Sequence, residues 1–121
     1  MLLKEILNSE KYKKINAEIN FNGTLNNGIV FIYPSWSGDQ RFLNILLDLY
    51  KKENSTLPIY IYDIDDESGR KFEIEFNVLN HGKGEVYLIL NGKISFAIKS
   101  HSKNPVVEIQ NLLTCCKNNA L

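Results

Sequence analysis

Residues 29–33 of this 121-residue chain, Ile-Val-Phe-Ile-Tyr, form an unbroken apolar run closed by Pro34. A strand that is apolar on both faces must be covered on both, so it belongs in the middle of a sheet between layers of helix. The next residues are Trp36-Ser37-Gly38-Asp39-Gln40-Arg41, and then an amphipathic helix starts at Phe42. Phe42, Leu43, Ile45, Leu46, Leu47 and Leu49 give that helix a broad core face, and Ser37 or Asp39 can cap it.

The remaining pattern completes the layers. Leu2, Leu3, Ile6 and Leu7 have helical spacing with lysines opposite, which predicts a helix from residue 2 to about 13. Ile15, Ala17, Ile19 and Phe21 alternate with polar residues as a strand does, and Asn22-Gly23 and Asn26-Asn27-Gly28 are turn chemistry. Leu57 to Tyr62 is a second strong strand, running into Asp63-Ile64-Asp65-Asp66. A helix is expected from about Ser68 to Phe76, although Phe72, Ile74 and Phe76 also alternate; His81-Gly82-Lys83-Gly84 is a loop. Asn91-Gly92 marks a hairpin between Glu85–Leu90 and Lys93–Lys99. Asn104 and Pro105 are the cap and first position of a last helix carrying Val106, Val107, Ile109, Leu112, Leu113 and Cys116.

The order is α-β-β-α-β-α-β-β-α. Strand, helix, strand implies a parallel pair, and the hairpin adds an antiparallel strand. The expectation is one α/β domain over residues 1–121, a three-layer α/β/α sandwich on a mixed sheet of four or five strands. Residues 1–14 would be an N-terminal helical extension, and a β-hairpin and a C-terminal helix would end the domain.

Charge and cysteine use narrow the function. Fourteen basic residues balance fourteen acidic ones. Counterion release from a phosphate backbone needs a net basic surface, so no nucleic-acid partner is expected. The start, Met1-Leu2-Leu3, is broken by Lys4 and Glu5, and no run has the length of a membrane span, so a cytoplasmic protein without a membrane partner is expected. Cys115 and Cys116 are adjacent on a helix, where successive side chains diverge by about 100°. They are read as one core thiol and one partly exposed thiol, not a redox pair or a zinc site.

Three pieces in sequence carry a family resemblance. They are the strand-turn-helix from Ile29 to Phe42, the strand end Tyr62-Asp63-Ile64-Asp65-Asp66, and the late hairpin Glu85 to Lys93 preceded by Phe76-Asn77-Val78. Together they resemble the thioredoxin-like fold over most of residues 15–118. The resemblance implies a Cys-x-x-Cys dithiol in the turn after Trp36, where a helix N-terminus would stabilise a thiolate. Ser37, Gly38, Asp39 and Gln40 stand there instead. The family's buried carboxylate aligns with Phe31, and its cis-proline falls near Gly84 or Glu85, with no proline between Pro58 and Pro105. The resemblance therefore implies the scaffold without the thiol–disulfide chemistry, and no enzyme activity or cofactor is expected.

Binding is the use left for such a scaffold. The turn and the cis-proline loop of the family lie side by side at the sheet's C-terminal end, where open α/β sheets bind ligands. The expected contact surface is Trp36, Ser37, Gly38, Asp39 and Gln40 beside His81, Lys83, Gly84 and Glu85. Trp36 would be its anchor if exposed, or would pack on its own loop. Asp63, Asp65 and Asp66 form a further acidic edge for a basic partner; with Glu67 they lack the glycine and distant glutamate of a calcium loop, so no metal is expected. Ser37, His81 and an aspartate match a hydrolase inventory, yet no Gly-x-Ser-x-Gly elbow exists and Ser37 reads as a cap. The expected partner is a protein. The resemblance extends to small bacterial thioredoxin-like proteins and points to an immunity role, with a bacterial toxin domain as the thing neutralised; a residual oxidoreductase or a chaperone or subunit role is the alternative.

Overall fold

A computed structural model describes residues 3–33, 41–53, 56–63, 65–78, 85–98 and 104–119. Nine elements follow one another within them: α1 (Leu3–Leu7), β1 (Ala17–Ile19), β2 (Gly28–Tyr33), α2 (Arg41–Lys52), β3 (Ile59–Asp63), α3 (Glu67–Phe76), β4 (Glu85–Leu90), β5 (Lys93–Ile98) and α4 (Pro105–Asn119). The five strands form one sheet in the order β1-β3-β2-β4-β5. β1 and β2 pair parallel to β3, and β4 pairs antiparallel to both β2 and β5. β2 is thus the central strand, and each of its six residues is buried, as its continuous apolar character requires.

Alternation along the strands divides the interior in two. Ile29, Phe31, Ile59, Ile61, Val86 and Leu88 meet Leu43, Leu46 and Leu47 of α2 and Ile109, Leu112 and Leu113 of α4 on one face. Val30, Ile32, Tyr62, Tyr87 and Ile89 meet Phe72 of α3 and Leu25 on the other. The three-layer arrangement is therefore a consequence of side-chain period: two in the strands, 3.6 in the helices.

Local chemistry sets the ends of the elements. Asp66 caps α3, its carboxylate accepting from Ser68 N–H at 2.9 Å, and Asn77 ends it in the left-handed region at φ 52°. The β4–β5 turn has Asn91 and Gly92 both at positive φ, 54° and 76°, as a two-residue hairpin of this twist demands. Leu88 faces Phe96 while Ile89 faces Ile94, which leaves Ser95 as the extra residue of a bulge.

The N-terminal segment differs from the expected long helix. α1 stops after Leu7, where Ser9 Oγ donates to the Ile6 carbonyl at 2.8 Å, and turns occupy residues 8–15. Ile6 and Tyr12 are nevertheless buried in the α2-side core. The Tyr12 hydroxyl donates to Asp48 at 2.7 Å and Lys51 Nζ donates to the Lys11 carbonyl at 2.5 Å, which fastens this segment to α2.

Candidate functional site

Three strands present adjacent ends at one side of the sheet. β2 and β3 run parallel and finish with Tyr33 opposite Asp63. β4 runs the other way and starts with Glu85 opposite Ile32. The chain thus leaves the sheet after Tyr33 and returns to it at Glu85 in neighbouring positions. Trp36, Ser37, Gly38, Asp39, Gln40, His81, Lys83 and Gly84 lie outside the described residues. Their points of attachment, Tyr33 and Arg41 for one segment and Val78 and Glu85 for the other, are within them, and Tyr33 and Glu85 belong to the same sheet end.

Glu85 departs from the expectation of a surface contact. It is 0% exposed. Its side chain shares the α3-side face with Tyr87, whose hydroxyl donates to Glu85 Oε2 at 2.5 Å. Residues two apart on a strand share a face, which is why the pair can meet. Burial, and then the bond to Glu85, hold the Tyr87 phenol well above its ordinary range. The Phe72 ring of α3 lies 5.5 Å from that of Tyr87, so the pair is roofed by apolar surface.

Phe31 is also wholly buried, on the opposite face, with ring centroids 6.0 Å from Phe42 and 6.5 Å from Tyr33. The position that the resemblance assigns to a carboxylate is thus aromatic core. A buried acid exists all the same, one strand away. Because Glu85 points to the other side, it does not fill the place that Phe31 occupies.

The acidic edge is largely engaged in shaping its own turn. Asp63 Oδ1 accepts from Asp65 N–H at 2.9 Å, while Asp63 N–H donates to Asn20 Oδ1 at 2.9 Å. Asp66 accepts from both the amide and the hydroxyl of Ser68, at 2.9 and 2.8 Å. The Ser68 amide first, and then its hydroxyl, lower the Asp66 pKa below the usual carboxylate value. Asp65 is exposed, whereas Asp63 and Asp66 are half-buried. Among the described residues no group of three or more His, Cys, Asp or Glu is placed to hold a metal ion. Cys115 is half-buried against the α2-side core, and the Cys116 side chain lies outside the described residues.

Sequence reasoning missed the Glu85–Tyr87 pair. The available signal was a glutamate opening an otherwise apolar strand, two residues before a tyrosine. It missed Asn20 as well, which turns the chain out of β1 at φ 54° and offers its side chain to β3.

No protein-family model matches the chain, and no curated protein matches it. Among solved structures it is similar to thioredoxin O1 from Arabidopsis thaliana in its oxidized state, at 16% identity over 74% of this chain and 77% of that one, with a TM-score of 0.55. It is similar also to thioredoxin O2 from the same organism, at 15% identity over 79% and 76%, with a TM-score of 0.54. The fold is therefore thioredoxin-like, as the order of elements and the mixed sheet implied.

Proposed function

We propose that this chain is a non-catalytic, cytoplasmic protein-binding module on a thioredoxin-like scaffold, and in its most concrete form a bacterial immunity protein that neutralises a toxin by binding it. The observation that carries the reading is the pairing at the sheet end: the strands that lead into the segment holding Trp36 and out of the His81–Gly84 segment are hydrogen-bonded neighbours. Segments attached side by side are suited to share one contact area, with tryptophan as the residue best suited to anchor it. Ser37 and Gln40, which stand in place of a dithiol, supply polar contacts and no redox couple.

The test is growth protection against a candidate toxin domain together with copurification of the two proteins. Trp36→Ala is expected to weaken the complex by about 2 kcal/mol or more, the range of an interface anchor. Protection that survives substitution of Trp36, Asp39, Gln40, His81 and Lys83 together counts against this surface. Insulin reduction tests the rival oxidoreductase reading: turnover that disappears in the double Cys115→Ser, Cys116→Ser variant would establish catalysis and overturn the non-catalytic one.

A further inference from the structure

The β1 edge of the sheet has a groove of its own. It encloses about 300 Å³ and is lined by Leu7, Asn8, Lys13, Ile15 and the β1 residues Ala17, Glu18 and Ile19. β1 is an outer strand of the sheet. Ile59 N–H donates to the Asn16 carbonyl and Asn20 N–H to the Ile61 carbonyl, each at 2.8 Å. Residues 16, 18 and 20 therefore turn their peptide groups towards β3, and those of Ala17 and Ile19 point outwards. The Ala17 amide is taken by the Ile15 carbonyl at 2.9 Å. Among the described residues nothing takes the Ala17 carbonyl or the amide and carbonyl of Ile19, which are left for an incoming strand.

The side chains beside that edge differ on its two faces. Leu7, Ile15, Ala17 and Ile19 are half-buried and form an apolar floor; Glu18 is exposed on the opposite face. Lys13 is held by Glu10 at 3.4 Å, so among the described residues Glu18 is the groove's unpaired charge. We infer that β1 takes up an extended segment of another protein, which adds a strand to the sheet and alternates apolar side chains over the Leu7–Ile15 floor with basic side chains opposite Glu18.

One register for a second copy of the chain is disfavoured. Two-fold pairing of β1 with itself is antiparallel, and the register joining Ile19 amides to Ala17 carbonyls centres on Glu18. It sets two glutamates directly opposite one another, which is destabilising. The other outer strand, β5, carries the Ser95 bulge and an exposed Lys93, both of which discourage strand addition.

The probes are two short capped peptides, one alternating valine with lysine and one alternating valine with glutamate, titrated into the isotope-labelled full chain. The lysine peptide is expected to move the amide resonances of residues 15–20, to slow hydrogen exchange at Ile19, and to bind at least about threefold tighter than the glutamate peptide. Glu18→Lys, a change at an exposed site, is expected to reverse that preference while circular dichroism stays unchanged. Equal binding of both peptides, no binding of either, resonance shifts mapped elsewhere, or a dimer through β1 in sedimentation would each overturn the inference. Trp36→Ala leaves this binding intact, so the outcome is separate from that of the toxin experiment.

Discussion

Glu85 and Tyr87 place two ionisable groups where neither meets water, and the bond between them helps both to be tolerated there. Tyr87→Phe removes the donor and keeps the ring. It is expected to lower unfolding free energy by about 1–3 kcal/mol, the cost of stripping a hydrogen bond from a buried polar group, read from urea denaturation. Glu85→Gln keeps an acceptor for the phenol and should cost less; a larger loss for it than for Tyr87→Phe would contradict the assignment. Tyrosine titration gives a second check. Burial raises the Tyr62 pKa to about 12, with Tyr60, Glu75 and Glu18 adding to it, and the Tyr87 phenol is raised too. A phenol with a raised folded pKa contributes stability that is complete below the unfolded value of about 10 and declines as pH rises through the folded one. Phenolate absorbance should therefore show Tyr62 and Tyr87 titrating only as the protein unfolds in alkali, with stability falling above about pH 10.

Among the elements, α3 shows most clearly how context decides. Phe72, Ile74 and Phe76 fit a strand as well as a helix. The helix buries Phe72 against Tyr62 and Tyr87, at 5.6 and 5.5 Å, and leaves Ile74 80% exposed. Aromatic packing and the Asp66 and Asn77 caps outweigh one stranded isoleucine. Close approach at Gly69 fixes how the helix sits, since a Cβ there would lie 2.8 Å from the Asp63 backbone oxygen. Gly69→Ala is expected to cost about 1–3 kcal/mol through overpacking, measured by thermal or urea unfolding. Asp66→Ala should lower the melting temperature and flatten the acid limb of stability. The sign follows from its lowered pKa: Asp66 stabilises the fold above the unfolded carboxylate value, and that contribution is lost as pH falls through the folded one.

At the scale of the whole molecule, the sheet joins two cores of unequal size, the α2–α4 side with α1 and the α3 side. Leu112→Ala should cost about 2–5 kcal/mol and Phe72→Ala about 3–5 kcal/mol. Far- and near-ultraviolet dichroism should lose signal together in both variants, because every β2 residue is packed into one core or the other. Separate transitions would mean that the layers melt independently. The residues alone determined the element order, the buried central strand, the Asn91-Gly92 hairpin and the Asn104-Pro105 helix start, because these follow from local period and backbone preference. Only the tertiary structure decided that β1 lies outside β3, that the segment after α1 folds back on α2, that Ser95 bulges, and that Glu85 is interior. Those facts depend on which segments distant in sequence come to lie side by side, and nothing in a strand's own alternation says which neighbour it will meet. The candidate site divides in the same way: its residue types were legible in the segment after β2, whereas the adjacency of the two points of attachment, and the burial of Glu85 beneath α3, came from strand pairing and helix packing.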